Sequence, residues 1–210
     1  KEYRRQRQMC IRDRDDGFGD PAIAGHVARS LERCGASGVV LEDQARPRRC
    51  GHLGGKQILP LPDYLAKLDA VLEERSSLVV VARTDALAPD EILQRVQAFD
   101  QHGCDAVLAD GIKDVGLIAQ LRETVSCPVF CNVIGGGKVP AATRGDLGLL
   151  GVEGLIYSTP CLFAAQGAIE HALEQLINND SRLDDALSAE CKLSDCHALL
   201  QANLQRADGT

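Results

Sequence analysis

Tryptophan is absent from these 210 residues, methionine occurs once, and aromatic side chains make up only 3% of the chain. A protein that binds single-stranded nucleic acid stacks bases on aromatic rings, so that class has little to build on here. A formal net charge of −7 argues in the same direction, because it repels a phosphate backbone. No apolar run approaches the roughly 18 residues that a membrane span needs, and the first residues lack the apolar core of a secretory signal. The chain reads as soluble and cytoplasmic, with neither nucleic acid nor membrane as partner. Also missing is any C-x-x-C pair. The nine cysteines come no closer in sequence than Cys127 with Cys131 and Cys191 with Cys196, which gives no zinc pattern. In a chain without a signal they read as reduced thiols, most of them buried.

What is present is an ordinary globular composition, 45% apolar and 25% charged, enough for one sizeable core. The charge is uneven. Residues 1–14 carry six basic side chains against Glu2 and Asp13, a local charge of +4, which leaves −11 on the remaining 196 residues. Beyond them, short β-branched runs alternate with helical patterns, the signature of βα units and a parallel sheet. Strands are expected over 38–42, 78–84, 105–109, 128–132 and 154–157, nearly all apolar, as in strands covered on both faces. Asp20 as N-cap and Pro21 at the first helical position start a helix that Gly35 should end. Further helices are expected over 62–74, 89–102, 114–124, 160–177 and 183–204.

The polar residues choose between two architectures. Glu42 and Asp43 close the first of these strands, Arg83 and Asp85 the second, Asp110 follows the third and Asn132 ends the fourth. An open doubly wound sheet concentrates its site at one switch point, whereas a barrel collects side chains from the ends of several successive strands. The pattern predicts an α/β fold of the (β/α)8 barrel kind.

Three short motifs in order, Glu42-Asp43-Gln44, Arg49-Cys50-Gly51-His52 and Arg83-Thr84-Asp85-Ala86, resemble the isocitrate lyase and phosphoenolpyruvate mutase superfamily. The resemblance extends upstream to Asp15-Asp16-Gly17-Phe18-Gly19, similar to that family's D-T-G-Y-G turn, and downstream to Asn132 and Gly136-Gly137-Lys138. It implies a Mg²⁺-dependent carbon–carbon lyase, with Mn²⁺ as second candidate, acting on a small branched 2-hydroxy di- or tricarboxylate of the 2-methylisocitrate kind and releasing an α-keto acid. It implies Asp15, Glu42 and Asp13 around the metal. Cys50, His52 and Arg83 would be catalytic, and Arg83, Asp110, Asn132, Gly51 and His52 would hold the substrate.

The residue chemistry agrees with each role. Carboxylates at strand ends are hard oxygen donors that suit Mg²⁺. Arg48, Arg49 and His52 beside Cys50 favour its thiolate, and Arg83 offers a planar fork for a carboxylate. An ion pair of Arg83 with Asp43 or Asp110 would be compatible with that use. Asp110 stands where the lyases usually have glutamate, a shorter arm. The run Gly135-Gly136-Gly137-Lys138 fails the G-x-x-x-x-G-K-[ST] phosphate-loop pattern and reads as a flexible connection near the substrate.

Residues 1–14 match no part of that family. Gln8-Met9-Cys10-Ile11-Arg12-Asp13-Arg14 is similar to translated sequencing-adapter sequence and shows no strand or helix period. They are expected to stand outside the fold, with Asp13 imitating the first metal-site aspartate. Residues 15–210 would then form a partial barrel lacking its first two βα units, weakly active or inactive alone, from a parent that assembles as a homotetramer or homodimer. Alternatives are an oxaloacetate decarboxylase, a carboxyvinyl-carboxyphosphonate or phosphoenolpyruvate phosphonomutase-like enzyme, or a non-catalytic assembly subunit.

Overall fold

The computed structural model describes residues 11–13, 16–50, 54–138, 142–178 and 193–208, of which 11–13, 193 and 204–208 are described by backbone alone. These residues fall into two units, one ending at Ser158 and one starting at Thr159.

The first unit repeats strand and helix: β1 (Ile11–Asp13), α1 (Pro21–Arg33), β2 (Gly38–Glu42), α2 (Leu61–Glu74), β3 (Val79–Thr84), α3 (Pro89–Gln101), β4 (Ala106–Ala109), α4 (Val115–Thr124), β5 (Val129–Val133), α5 (Arg144–Leu149) and β6 (Val152–Tyr157). All six strands are parallel and lie in the sheet in strict sequence order, β1 to β6. A doubly wound sheet reverses its order at a switch point. No reversal occurs among these strands, so the order is that of a (β/α) barrel, as the strand-end residues predict.

Alternate residues of the strands build two apolar layers. Val39, Leu41, Val80, Ala82, Val107 and Val129 face the helices and pack on Leu68, Phe99, Ile118 and Leu121. Val40, Val81, Ala106 and Leu108 form a second cluster on the other face, with Phe130 and Ile156 against it. Burial on both faces explains why these strands are uniformly apolar rather than alternating. Tyr64 of α2 stacks on Phe99 of α3 at 4.6 Å between ring centroids, and its hydroxyl donates to the Leu41 carbonyl at 2.8 Å. Helix α1 starts as expected, Ile23 N donating to the Asp20 side chain at 2.9 Å with Pro21 in the first turn.

Two elements depart from the sequence reading. The backbone of Ile11–Asp13, expected outside the fold, pairs in parallel with β2, Asp13 opposite Val40. Three residues are too few to show a period, and here pairing to a neighbour makes the strand. Helix α5 was not anticipated, because two glycines in six residues give it poor intrinsic propensity. A reciprocal cap compensates: Thr143 and Asp146 each hold the other's backbone N–H, and Leu147 is buried beneath.

The second unit carries α6 (Pro160–Asn178) and α7 (Leu193–Asp208). Helix α6 has no buried residue. The stretch 183–192, expected to be helical, lies outside the described residues. Among the described residues no helix is long and apolar enough to cross a membrane.

Candidate active site

Strands β2 to β5 end in side chains that meet one another at the sheet's C-terminal edge. Arg83, the penultimate residue of β3, is the hub. Its Nε and Nη2 donate to the two carboxylate oxygens of Asp85 at 2.9 and 3.1 Å, and Nη2 also donates to Asp110 Oδ2 at 2.7 Å. Burial works against the guanidinium's charge, and Asp85 and Asp110 outweigh it, raising its pKa. Asp85 answers in kind: burial alone would raise its pKa, but Arg83 and Lys56 hold it low. Lys56 Nζ donates to Asp85 Oδ1 at 2.9 Å. Asp110 Oδ1 accepts from Asn132 Nδ2 at 3.1 Å, and Asn132 Oδ1 accepts from Ser158 at 2.6 Å. Arg83, Asp110 and Asn132, read from strand ends alone, are thus one hydrogen-bonded group. Of the two ion pairs open to Arg83, that with Asp110 forms and that with Asp43 does not.

Asp43 has a different partner. It accepts from Arg95 Nη1 at 3.1 Å, from Thr84 Oγ1 at 2.7 Å and from Asp85 N at 2.9 Å. It therefore clips β2 to the end of β3 and to α3. Burial pushes its pKa up to about 6 in spite of these donors.

Glu42 is fully buried at the end of β2. Its Oε1 accepts from Arg48 Nε at 2.5 Å. Its Oε2 has no hydrogen-bond partner, and Arg83 Nη2 stands 3.5 Å from it. Burial dominates and raises the pKa of Glu42, with Arg48 and Arg83 opposing. An unsatisfied buried carboxylate oxygen costs about 1–3 kcal/mol or more, and native folds keep such groups where something else binds them.

The loop after β2 is pinned three times before it reaches Cys50. Arg46 Nε pairs with Asp16 at 2.8 Å, Arg48 with Glu42, and the Gln44 amide clamps Arg49 on both sides, accepting from its N–H at 2.9 Å and donating to its carbonyl at 2.8 Å. Cys50 follows directly and is exposed. Gly51, His52 and Asp15 lie outside the described residues, and Asp13 is described by backbone only. That backbone ends one strand over from β2, in register with Val40 two residues before Glu42.

Among the described residues no three His, Cys, Asp or Glu side chains gather as a metal site. The orphaned Glu42 Oε2 is nevertheless a hard oxygen donor with room in its bonding. Such a donor fits Mg²⁺, which takes one or two carboxylates and keeps waters and substrate for the rest. Local patterns missed Arg95, and they missed the partners of Arg48 and Lys56. Each of the three pairs with a carboxylate 6 to 52 residues away, a distance at which only the fold makes neighbours.

A family model described as phosphoenolpyruvate phosphomutase matches residues 5–177, a stretch that takes in residues 5–14, which the motifs alone left outside the family. The chain belongs to the phosphoenolpyruvate mutase/isocitrate lyase superfamily. That superfamily embraces carbon–carbon lyases and mutases. The 2-methylisocitrate lyase of Bacillus subtilis (strain 168) is 34% identical over 161 residues, 75% of this chain and 54% of that protein. Among solved structures, oxaloacetate acetylhydrolase bound to 3,3-difluorooxalacetate superposes with a TM-score of 0.84 at 26% identity, over 95% of this chain and 69% of that one. Phosphonopyruvate hydrolase with oxalate and Mg²⁺ does so at 0.78 and 25% identity, over 94% and 70%. The chain spans little more than half the length of the curated relatives it matches.

Proposed function

We propose that this chain carries the catalytic mouth of a Mg²⁺-dependent carbon–carbon lyase that cleaves a small branched 2-hydroxy di- or tricarboxylate of the 2-methylisocitrate kind into an α-keto acid and a dicarboxylate. The observation that carries the reading is the buried, unpartnered Glu42 Oε2 beside Arg83. It is supported by the superfamily and by a relative seen with oxalate and Mg²⁺.

Glu42 with Asp13 and Asp15 would hold the cation, which when bound stabilises the negative charge that develops on the substrate's α-oxygen as the bond breaks. Arg83 orients the substrate. Its Nε and Nη2 are committed to Asp85 and Asp110, which fixes the plane of the fork and leaves Nη1 to receive a carboxylate. Asn132, with its carbonyl oxygen satisfied by Ser158, is held as a donor pair in the same mouth. Gly51 and His52 would complete the substrate's surroundings from the loop after Cys50. As the carbon–carbon bond breaks, the substrate's 2-hydroxyl loses its proton to solvent and becomes the keto group, the bond's electrons pass to the departing dicarboxylate, and that carbanion takes the proton of the Cys50 thiol, a general-acid step worth about 10²–10⁴-fold; exposed Cys50 is then reprotonated from solvent. The clamps on Arg46, Arg48 and Arg49 set where that thiol starts from.

The test is release of α-keto acid from 2-methylisocitrate by the purified chain with Mg²⁺, a weak turnover for a chain that spans little more than half the length of its curated relatives. Turnover should require the metal and fall at least about 10²-fold in Cys50→Ser. Full turnover in Cys50→Ser, or turnover unaffected by chelation, would contradict the assignment. Retained oxaloacetate decarboxylation by that variant would point to the decarboxylase instead.

A further inference from the structure

Position 16 carries a charge where the family's D-T-G-Y-G turn has threonine. Asp16 is only 4% exposed, and a carboxylate sits that deep only with partners. Its Oδ2 accepts from Arg46 Nε at 2.8 Å and its Oδ1 from Arg46 Nη2 at 3.1 Å. Two-point pairing of this kind fixes the plane of the guanidinium as well as its distance. A threonine hydroxyl, with one oxygen and no charge, cannot make it. Asp16 Oδ1 also accepts from Phe18 N at 3.3 Å, and the Asp16 carbonyl accepts from Nζ of Lys67 at 3.1 Å, a lysine buried on α2.

The turn that bears Asp16 has little freedom of its own. Gly17 takes φ +79°, and a Cβ there would stand 2.8 Å from Ala24 Cβ of α1 and 3.3 Å from Leu41 Cδ1 of β2, so its backbone lies against both elements. With Lys67 reaching in from α2, three elements hold Asp16 in place. Arg46 is the opposite kind of group, with a side chain 56% exposed. It is the first residue past the closed base of the loop after β2. That base is made by Gln44 bridged antiparallel to Ile58, with Ala45 N donating to the Gln57 carbonyl and Leu59 N to the Asp43 carbonyl, each at 2.8 Å. Lys56 pairs with Asp85 at 2.9 Å on the returning side. The base fixes where the loop leaves and returns, but not the direction in which it leaves. Arg46 sets that direction, because it ends on a fixed anchor four residues before Cys50.

We propose that Asp16 is a positioning residue for the proton donor: through Arg46 it aims the loop that carries Cys50, while Lys67 and the Gly17 turn hold Asp16 still. The inference rests on the lyase reading, and it deepens that reading by assigning the aim of the thiol to one ion pair at the foot of its loop.

Cleavage of 2-methylisocitrate and titration of oxalate, both with Mg²⁺, test this in Asp16→Asn, Arg46→Gln and the two together. The kcat should fall about tenfold in each single variant, within the roughly 10²-fold that a misplacement of about 1 Å can cost. KM and oxalate affinity should stay as in the wild type, because only the donor has moved. The double variant should be no slower than either single one, since both remove the same pairing. Arg46→Lys should recover part of the loss. Trypsin, which cuts after Arg48 and Arg49, should nick all three variants faster than the wild type. Arg46 is more than half exposed, so Arg46→Gln keeps the fold and carries the test even where Asp16→Asn does not fold. Unchanged kcat or unchanged nicking in Arg46→Gln, a matching loss of oxalate affinity, or losses that multiply in the double variant overturn the role of Asp16 while the lyase reading stands. Wild type that releases no α-keto acid, or Cys50→Ser that turns over fully, overturns the lyase reading and this proposal with it.

Discussion

The two edges of the parallel sheet are both rich in charge, yet they use it in opposite ways. At the N-terminal edge helices α1 to α4 each carry, in or just after their last turn, a charged side chain that reaches a later strand or the residues before it. Glu32 of α1 accepts from Ser76 N at 2.9 Å, just before β3. Arg75, after α2, pairs with Asp105 before β4. Asp100 of α3 accepts from Ser126 N at 2.8 Å and Cys127 N at 3.0 Å, before β5. Arg122 of α4 pairs with Glu153 of β6 at 2.8 Å. These buckles are half-buried or exposed, separate from one another and locally satisfied. At the C-terminal edge the charges are buried, share partners, and leave Glu42 Oε2 unsatisfied. Separate, satisfied pairs hold a barrel together, whereas a crowded edge with an open valence is where a ligand belongs.

The comparison can be broken in order of expected effect. Arg83→Met strands Asp85 and Asp110 in the mouth without their shared cation, a loss of about 3–5 kcal/mol by chemical denaturation. A loss below about 1 kcal/mol would mean that the network is looser than its distances say.

Asp43 supplies a pH signature of opposite sign to that of Asp100 at the N-terminal edge, the floor of the sheet. Its pKa in the fold, about 6, lies above the ordinary value of 3.8, so its contribution to stability is complete below that ordinary value and is lost as pH rises to about 6. The expected size is on the order of 3 kcal/mol across that window. Asp100, whose pKa is held low by Ser126 and Cys127 against the opposing pull of burial, contributes above its ordinary value and loses that contribution in acid. Denaturation from pH 4 to 7 should show the fall in the wild type and a flatter line in Asp43→Asn, whatever constant offset that variant carries. An unchanged slope would remove Asp43 as its source.

Smaller effects are expected at the floor. Asp100→Ala removes hydrogen bonds to the start of β5 and should cost about 1–2 kcal/mol, and Arg75→Ala about 0.2–1 kcal/mol. Neither should change oxalate affinity in titration. A matching loss of affinity in either would erase the distinction between the two edges.

Much of this was legible from residue order. The strands stood out because both faces are apolar, and Glu42, Arg83, Asp110 and Asn132 stood out because each is polar at the end of such a run. Strand β1 was not legible, since Ile-Arg-Asp carries no period and its partner Gly38–Val40 lies 27 residues on. Helix α5 hid behind Gly145 and Gly148. The pairs that organise the site were hidden for a different reason. Lys56 with Asp85, Arg95 with Asp43 and Arg46 with Asp16 are 29, 52 and 30 residues apart, and nothing in a local window couples them. Asp43 shows the consequence: residue order left Asp43 and Asp110 as alternative partners of Arg83, and the fold gives Asp110 to Arg83 and Asp43 to Arg95 of α3.

The central claim is that Glu42 Oε2 is open because a dication binds there and presents an α-keto acid to Arg83. Titration of oxalate into the purified chain, with Mg²⁺ and with chelator, in wild type and Glu42→Gln, tests it directly. Binding should appear only in wild type with Mg²⁺ and be lost in Glu42→Gln. Binding that ignores the metal, or that survives in Glu42→Gln, would contradict the account.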